Sequence, residues 1–528
     1  MPKILVSDEL SPKGIAILQA AEGIEVDVKT GMPPEELIAL IPDYHGLVIR
    51  SATKVTDEVI AAAANMKIIG RAGIGVDNVA LEAASTKGII VMNTPGGNTI
   101  TTAEHAIAML MALSRNIPQA DHSMKEGKWE KKQFIGVEVF NKTLGVIGLG
   151  RVGSIVAQRA LGLQMKVVTH DPYIARDVAE KIGVELVEFD DLLARSDYIS
   201  LHAAKTKDTE GLIGAGEFAK MKNGVFLINC ARGSIVEEEA LFEALESGKV
   251  AGAALDVFSI EPTPPDNPLV NHPRVICTPH LGASTGEAQE NVAIAIAEQV
   301  VGFFVRGEVK NAVNTPSLDA EVVSLLGPYL NLAGRLGSFA AQYVDGGIKE
   351  VNIRYAGEEI ARGTTPLTLY VLAGVLQTFM EEAVNTVNAP YLVKQRGIVV
   401  NESTTRATED YTNLITVELV TDKGRGTVSG TIFGRKNPRI VRIDEVSLEA
   451  MPEGHILVFS NRDTPGVIGR VGTILGNNKI NIAGIQLGRT APQEDAVAVL
   501  NVDQPVNESV IAELLALPNL YYAKTITL

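Results

Sequence analysis

A glycine-rich turn joins an apolar strand to a helix in the run LGVIGLGRVGSIVAQRA, residues 144–160, and few folds accommodate that arrangement. Gly148 permits the tight turn, Gly150 lets a pyrophosphate approach the backbone, and Gly153 lets the helix pack closely on the strand. The first amides of the helix then face the phosphates of a bound dinucleotide. The run therefore predicts a parallel α/β sheet with a nucleotide-binding edge.

The strand that follows, MKVVTHD, ends at Asp171, 21 residues beyond Gly150. At that position a carboxylate accepts hydrogen bonds from the adenosine ribose hydroxyls. The same charge repels a 2′-phosphate, so the sequence predicts NAD rather than NADP as the cofactor. The alternative interpretation is a glycine-rich turn followed by an unrelated exposed aspartate.

Apolar β-rich runs alternate with helical patterns up to about residue 310: KILVSD, GLVIR, KIIGRAG, GIIVMN, LGVIGLG, KVVTHD, YISLHA, GVFLINCA, VAGAALDV and RVICTPH. Strands that are apolar on both faces and separated by helices indicate parallel sheets between helix layers. Long helical patterns near residues 99–116 and 286–307 flank the stretch that holds the glycine-rich turn. We therefore predict an α/β protein with two Rossmann-like doubly wound domains: a substrate-binding domain of residues 1–98 and 286–312, and an NAD-binding domain of residues 99–285.

The pattern changes after the Asn-Thr-Pro sequence at residues 314–316. Residues 318–452 contain two helical segments, VVSLLGPYLNLAGRLGSFAAQYV and LTLYVLAGVLQTFMEEAVNTVNAPYLVKQRG, followed by hairpin-like strands, which predicts an α+β intervening domain. Residues 453–528 have the order strand, helix, strand, strand, helix, strand. That order predicts a ferredoxin-like βαββαβ domain.

Charge and composition exclude several classes of partner. Of the 528 residues 46% are hydrophobic, and 63 acidic against 47 basic side chains give a formal net charge of −16. Such a surface repels polyanions, so we predict neither nucleic acid nor an anionic membrane as a partner. Two cysteines cannot form a disulfide framework for this length, and the N-terminal run MPKILVSDEL lacks a signal-peptide pattern. These features predict a cytoplasmic protein.

Three further segments follow predicted strands and carry side chains suited to proton and hydride chemistry. Arg232 lies in NCARG, Glu261 in DVFSIEP and His280 in TPHLG. Because ligands bind at the carboxyl ends of strands in open α/β sheets, we expect the three to converge. Arg232 offers a bidentate fork to a carboxylate, His280 can move a proton, and Glu261 can stabilise the imidazole. Taken singly, the arginine also fits a surface ion pair and the histidine a structural role.

The segments GLGRVG, HDP, NCARG, DVFSIEP and TPHLGAST, in this order, resemble those of the D-isomer specific 2-hydroxyacid dehydrogenases, which use Arg, Glu and His with NAD. Within that family the chain resembles the long bacterial branch that oxidises D-3-phosphoglycerate to 3-phosphohydroxypyruvate, the first committed step of L-serine biosynthesis. RAGIGVDN, NTPGGNTITTAEH, the intervening domain and a C-terminal ACT domain carry this resemblance over the whole chain. It implies that Arg232, Glu261 and His280 are catalytic.

The resemblance also implies a set of binding residues. The implied cofactor contacts are Gly148, Gly150, Arg151, Val152, Gly153, Asp171, Thr206, Cys230, Ala231, Arg232, Asp256, His280, Gly282, Ala283 and Ser284. The implied contacts to a small phosphorylated 2-hydroxy acid are Arg50, Ser51, Arg71, Gly75, Asn98 and Lys131, with Lys132 as the alternative to Lys131. Two residues depart from the family pattern, Ile74 in place of Thr and Ala204 in place of Pro.

The ACT-like domain predicts an effector site. By the resemblance, Asn461, Asp463 and Asn481 bind L-serine at an interface between two such domains, which implies a homotetramer. The alternative is that these three side chains only cap loops. No metal site is predicted, because the eight histidines are scattered without ligand spacing.

Two other functions stay open at this point. A glyoxylate or hydroxypyruvate reductase acts on a substrate without phosphate, which Arg50 argues against. An NAD-sensing corepressor that binds peptides has the same fold, but the ACT-like domain argues against it.

Overall fold

The computed structural model describes residues 1–318, 320–380, 383–407, 410–491 and 494–528. These residues form four β-sheets, and every strand pairing in the first two sheets is parallel. Within the described part of the chain, no helix combines the length and the apolar character that crossing a membrane would require.

The first sheet is formed near the start of the chain. Its strands are β1 (Lys3–Val6), β2 (Glu25–Val28), β3 (Gly46–Ile49), β4 (Ile68–Arg71) and β5 (Ile90–Met92), and its helices are α1 (Pro12–Ala20), α2 (Pro34–Leu40), α3 (Asp57–Ala62) and α4 (Leu81–Thr86). The strand order is β2-β1-β3-β4-β5. Strands β1, β3 and β4 are almost wholly buried, because helices cover both faces of the sheet.

The second sheet has seven strands. They are β6 (Thr143–Ile147), β7 (Lys166–His170), β8 (Glu185–Leu186), β9 (Tyr198–Leu201), β10 (Val225–Asn229), β11 (Val250–Leu255) and β12 (Val275–Cys277). Its helices are α5 (Thr99–Ser114), α6 (Ile117–Lys125), α7 (Arg151–Gly162), α8 (Arg176–Ile182), α9 (Phe189–Arg195), α10 (Ala215–Lys220) and α11 (Glu238–Glu246). The strand order is β12-β11-β10-β9-β6-β7-β8. The chain adds strands outward from β6 to β8 on one side and then from β9 to β12 on the other, and this change of side opens a ligand crevice at the carboxyl ends of β6 and β9.

Helix α12 (Gly286–Arg306) returns the chain from the second sheet to the first. Thr285 caps its first turn by accepting a hydrogen bond from the amide of Ala288 at 3.2 Å, and Gly307 ends it in the left-handed conformation. Its apolar face is buried against the first sheet through Val292, Ile296 and Val300. Two α/β lobes therefore face each other across a cleft.

The predicted fold class is confirmed, and all ten predicted apolar runs of this region are strands. The sequence patterns missed β2 and β8. Both are edge strands with mostly exposed or half-exposed side chains, so they lack the continuous apolar run by which a buried parallel strand is recognised.

The third sheet belongs to the intervening region. Its elements are α13 (Ala320–Tyr343), β13 (Ile348–Ala356), α14 (Thr364–Gln377), α15 (Ala389–Gln395), β14 (Val399–Thr405), β15 (Leu414–Thr421), β16 (Arg425–Phe433), β17 (Asn437–Ile443) and β18 (Val446–Ala450). The strand order is β14-β13-β15-β16-β17-β18. The sequence missed β13 and β14, and the second predicted helical segment divides into α14 and α15, with residues 381 and 382 outside the described residues. Strand β13 is half-buried with alternating polar and apolar side chains, whereas the prediction relied on apolar runs.

The C-terminal sheet follows the predicted βαββαβ order. Its elements are β19 (His455–Arg462), α16 (Val467–Asn477), β20 (Ile482–Arg489), β21 (Asp495–Val502), α17 (Glu508–Leu515) and β22 (Leu520–Thr527), with strand order β20-β21-β19-β22. One face of this sheet shares a core with α13 through Ile456, Val458 and Val499. Lys524 also donates to the carbonyl oxygens at the end of α13, reaching that of Val344 at 2.8 Å. The last two units therefore pack as one body.

Candidate active site

The glycine-rich turn has the shape that a dinucleotide needs. Gly148 has a φ of 90°, and a Cβ there would meet the backbone nitrogen of Ala203 at 2.9 Å. A Cβ on Gly153 would overlap the carbonyl oxygen of Gly148. Gly150 caps the N-terminus of α7 and has open space where its Cβ would be. The open side of the turn and the free helix amides fit a pyrophosphate, so the residues present suit NAD.

Asp171 lies beside this turn at the end of β7. One carboxylate oxygen accepts a hydrogen bond from the amide of Leu149 at 2.8 Å, and the other accepts from the amide of Tyr173 at 2.9 Å. These bonds hold the carboxylate next to the turn. Its position suits the adenosine ribose and opposes a 2′-phosphate.

The other predicted cofactor residues follow the carboxyl ends of strands in the same sheet. Thr206 lies in the turn after β9, where Thr209 Oγ1 donates to the carbonyl oxygen of Ala204 at 2.6 Å. Further residues begin α7 or follow β10, β11 and β12: Arg151, Val152, Cys230, Ala231, Asp256, Gly282, Ala283 and Ser284. The sheet topology therefore brings these segments to one edge.

Asp256 organises the loop that carries His280. Its carboxylate is 1% exposed and accepts hydrogen bonds from Thr278 Oγ1 and the amide of Leu281, both at 2.6 Å, and from the amide of Gly282 at 2.8 Å. Its carbonyl oxygen accepts from the amide of His280 at 2.9 Å. Burial opposes ionisation, but the hydrogen bonds from His105, Thr278 and Leu281 outweigh it and keep the pKa of Asp256 below its ordinary value.

His105 of α5 is a further partner of this carboxylate, which sequence reasoning did not single out. Its Nε2 lies 3.2 Å from Asp256 Oδ1 and 3.1 Å from Thr278 Oγ1. Ligand atoms of His105, Cys230 and Asp256 lie within 4.8 Å of one another. Burial, together with the Asp256 charge, raises the pKa of Cys230 strongly, so the thiol stays protonated. His105, Thr278 and Asp256 thus form a hydrogen-bonded group that supports the loop carrying His280.

His280 and Glu261 form a pair at the edge of the cleft. Nδ1 of His280 lies 2.7 Å from Glu261 Oε2, and Glu261 Oε1 accepts from the amide of Phe258 at 3.0 Å. Burial opposes ionisation of Glu261, but the hydrogen bonds from His280 and Phe258 keep its pKa below the ordinary value. With Nδ1 held by a carboxylate, Nε2 is the nitrogen left to exchange a proton with a ligand.

Arg232 follows β10 and reaches across the cleft. Its Nε donates to Asp77 Oδ2 at 3.0 Å, and its Nη1 donates to the carbonyl oxygen of Ala231 at 2.7 Å. Its charge also helps to lower the pKa of Glu261. Arg232, Glu261 and His280 are thus grouped at the carboxyl ends of β10, β11 and β12, as the sequence predicts.

Arg50 directly follows β3, and Arg71 is the last residue of the adjacent strand β4, in the other lobe. The amide of Arg50 donates to Asp8 Oδ2 at 2.6 Å, and its Nη1 donates to the carbonyl oxygen of Glu9 at 3.2 Å. Burial and then the charge of Arg232 lower the pKa of Arg71 to about 10, with Arg50 adding to the effect. Arginines from three segments therefore converge, which favours an anionic ligand.

The remaining predicted substrate residues differ in their surroundings. Gly75 lies against Arg232, and Asn98 directly precedes α5, with a buried Oδ1 that no described residue hydrogen-bonds. Ser51 is exposed on the loop after β3. Lys131 lies on an exposed 3-10 turn, and no contact among the described residues joins it to the three arginines.

The three predicted effector residues do not meet within one chain. Asn461 pairs with Ala496 of β21, whereas Asn481 directly precedes Ile482, which pairs with Val502 at the other end of that strand. Six residues of strand separate the two positions by roughly 20 Å. Asp463, two residues beyond Asn461, accepts from Arg489 Nη1 at 2.7 Å, and Asn481 Nδ2 donates to Asp503 at 2.8 Å.

Family models match three parts of the chain. They are the D-isomer specific 2-hydroxyacid dehydrogenase, NAD binding domain, at residues 107–282, the D-3-phosphoglycerate dehydrogenase intervening domain at residues 325–444, and the ACT domain at residues 455–519. These matches confirm the resemblance on which the sequence predictions rest.

Individual proteins extend the match to the whole length. The D-3-phosphoglycerate dehydrogenase of Archaeoglobus fulgidus is 46% identical over 528 residues, and that of Bacillus subtilis is 42% identical over 528 residues, each alignment covering 100% of both chains. The structure of an NAD-dependent formate dehydrogenase from Staphylococcus aureus in complex with NAD is 30% identical, with a TM-score of 0.55, over 60% of this chain and 100% of that chain.

Proposed function

The chain belongs to the D-3-phosphoglycerate dehydrogenases of the D-isomer specific 2-hydroxyacid dehydrogenase family, and we propose how its residues perform the reaction of that family. That reaction is the NAD-dependent oxidation of D-3-phosphoglycerate to 3-phosphohydroxypyruvate, which opens L-serine biosynthesis. The observation that carries the proposal is the His280–Glu261 pair at 2.7 Å beside Arg232.

His280 is the general base in this proposal. Its Nε2 takes the proton from the C2 hydroxyl of the substrate as the C2 hydride departs. NAD, when bound, supplies the hydride acceptor at C4 of its nicotinamide. Glu261 stabilises the positive charge that forms on the imidazole, because its carboxylate is ionised and lies 2.7 Å from Nδ1.

The arginines bind the two anionic ends of the substrate. Arg232 offers its guanidinium to the carboxylate and to the reacting oxygen, with Gly75 and Asn98 lining the site. Arg50 and Arg71, at the carboxyl ends of adjacent strands, bind the phosphate, with Ser51 beside them. Among the described residues, no contact joins Lys131 to these arginines. Lys131 would therefore add its positive charge to the phosphate site from a separate segment.

The direct test is a product-trapping assay of the intact protein with D-3-phosphoglycerate. We expect NADH formation with NAD, much less with NADP because of Asp171, and little with the unphosphorylated acid D-glycerate. Tight NAD binding without oxidation of any of these acids would overturn the proposal and favour a cofactor-sensing binding protein. Faster turnover of unphosphorylated acids would favour a glyoxylate or hydroxypyruvate reductase.

Replacing Glu261 with Gln is expected to lower kcat about 10- to 100-fold, because the imidazolium loses its counter-charge. The low pKa of Glu261 keeps its carboxylate ionised throughout the assay range, so its own titration does not shape the pH profile. Steady-state kcat with NAD and D-3-phosphoglycerate measures the loss. A Glu261→Gln enzyme within twofold of wild-type kcat would contradict the assigned role.

We propose that the ACT domain binds L-serine between two chains of a homotetramer. The separation of Asn481 from Asn461 and Asp463 within one chain supports a site completed by a second copy. Large apolar side chains exposed between α6 and β6 support association of copies: Trp129 and Ile135, each 80% exposed, and Phe140, 55% exposed.

Millimolar L-serine is expected to bind wild type and slow oxidation, and Asn481→Ala is expected to weaken that binding about tenfold or more. Calorimetry and the NADH assay measure the two effects. Ser509→Ala, an exposed change in the same domain, serves as the control. A monomer in solution, or equal serine binding by wild type and Asn481→Ala, would contradict the shared site.

We also propose the domain boundaries and location that the sequence suggests. The substrate-binding domain comprises residues 1–98 and 286–312, the NAD-binding domain 99–285, the intervening domain 318–452 and the ACT domain 453–528. The free cysteines Cys230 and Cys277 suit a reducing compartment, and we assign the protein to the cytoplasm.

A further inference from the structure

Two arginines of the site are held in the same way by neighbouring residues of one segment, RAGIGVDN at residues 71–78. Arg71 Nε donates to Asn78 Oδ1 at 3.1 Å, and Arg232 Nε donates to Asp77 Oδ2 at 3.0 Å. Each guanidinium is thus held through its Nε, and Nη1 of Arg232 also donates to the carbonyl oxygen of Ala231 at 2.7 Å. The Nη edge keeps further N–H donors that can form a bidentate pair.

The two glycines of this segment make room for the same arginines. A Cβ on Gly73 would overlap Nη1 of Arg71. A Cβ on Gly75 would overlap Nη2 of Arg232 and lie 2.7 Å from Asp77 Oδ2. A side chain at either position would therefore displace the guanidinium that passes over it.

The partners differ in charge. Asp77 is an acid, so the Arg232–Asp77 pair is neutral before a ligand binds. Asn78 is neutral, and its Nδ2 also donates to the carbonyl oxygen of Arg50 at 2.7 Å. The guanidinium of Arg232 is therefore held by an acid in direct contact, whereas that of Arg71 is held by a neutral amide and is influenced by Asp77 and Asp8 only through their charges.

We propose that Asp77 and Asn78 are positioning residues, each of which orients the arginine that binds one charged group of the substrate. Asp77 sets Arg232 for the singly charged carboxylate. Asn78 sets Arg71 beside Arg50 for the doubly charged phosphate and so determines the preference for a phosphorylated acid. The assignment rests on the proposed function, because it assumes a substrate with both groups.

Asp77 also joins the two lobes. It lies between β4 and β5 of the first sheet, whereas Arg232 follows β10 of the second, so their ion pair crosses the cleft. Half of the Asp77 side chain is exposed, and an exposed ion pair of this kind contributes little to the free energy of unfolding. Substituting Asp77 should therefore change substrate binding more than stability.

The test compares two substrates in the reducing direction, 3-phosphohydroxypyruvate and hydroxypyruvate, with NADH. Asp77→Ala should lower kcat/KM for both by a similar factor of about ten or more, because both carry the carboxylate. Asp77→Asn should recover part of the loss, because its amide oxygen still accepts from Nε. Asn78→Ala should lower kcat/KM for the phosphorylated substrate about tenfold more than for hydroxypyruvate.

Controls separate positioning from folding. Asp177→Asn removes an exposed acid that pairs with Lys181 on α8, and it should leave both substrates and the melting temperature unchanged. NADH affinity, followed by fluorescence, should stay the same in Asp77→Ala and Asn78→Ala. Calorimetry with D-3-phosphoglycerate and D-glycerate reads the same preferences without turnover.

The outcomes distinguish the inference from the proposed function. If wild type turns over neither substrate, the proposed function fails, and calorimetry still decides whether Asp77 and Asn78 control binding of the two acids. If wild type is active while Asp77→Ala stays within twofold of it, Asp77 does not position Arg232. If Asn78→Ala weakens both substrates or acids equally, Asn78 does not determine the preference for phosphate.

Discussion

Replacing His280 with Asn is expected to lower kcat for oxidation of D-3-phosphoglycerate roughly 100- to 10,000-fold while NAD binding stays close to wild type. The loss follows because Nε2 of the imidazole is the atom that takes the C2 hydroxyl proton. Asn is the informative replacement, because residue 280 has a φ of 57° and Asn tolerates the left-handed region better than Ala. The loop that Asp256 holds should therefore keep its shape.

Steady-state rates with NAD, together with NAD binding by calorimetry, measure this effect. His122→Asn is a matched control, because His122 lies exposed on α6 beside Glu126. A His280→Asn enzyme within tenfold of wild-type kcat would show that another group is the base. A simultaneous loss of NAD binding would instead point to collapse of the loop.

Replacing Arg232 with Lys should lower kcat/KM about 100-fold or more, because an ammonium cannot form the planar two-point contact with the carboxylate. Lys also lacks the Nε through which Asp77 holds the guanidinium. The effect should fall on kcat and on KM together, since Arg232 is proposed to meet both the carboxylate and the reacting oxygen.

Arg159→Lys serves as the control for this change. Arg159 lies on α7 and forms a partly exposed ion pair with Glu104, so its replacement should change neither kcat nor KM. An Arg232→Lys enzyme with wild-type KM and a lowered kcat would mean that Arg232 acts only in the transition state. An enzyme unaffected in both parameters would remove Arg232 from the site.

The parts of the site that could be predicted from sequence are those with local geometry. The glycine-rich turn is a property of six consecutive residues, because Gly148 needs a positive φ and Gly153 a close approach within one strand-turn-helix unit. Arg232, Glu261 and His280 could be grouped because the carboxyl ends of parallel strands lie on one edge. Both inferences need only the element order.

Partners that act across the cleft could not be found in that way. Asp77 lies 155 residues from Arg232, and His105 lies 151 residues from Asp256. The residues around Asp77 and His105 show no periodicity or turn pattern from which the other member of each pair could be predicted. For Asp77 and Asn78, the one sequence signal is their place in RAGIGVDN, a segment that carries the family resemblance.

The order of elements, the strand ends and the glycine-rich turn were determined by the sequence itself, because apolar runs, turn residues and backbone conformation act over a few neighbouring residues. Only the tertiary structure decided which acceptor holds which arginine, that α5 supports Asp256 through His105, and that Asn461 and Asn481 lie at opposite ends of one sheet. Those relations depend on strand order and on the packing of two lobes, which bring residues together that are far apart in the chain.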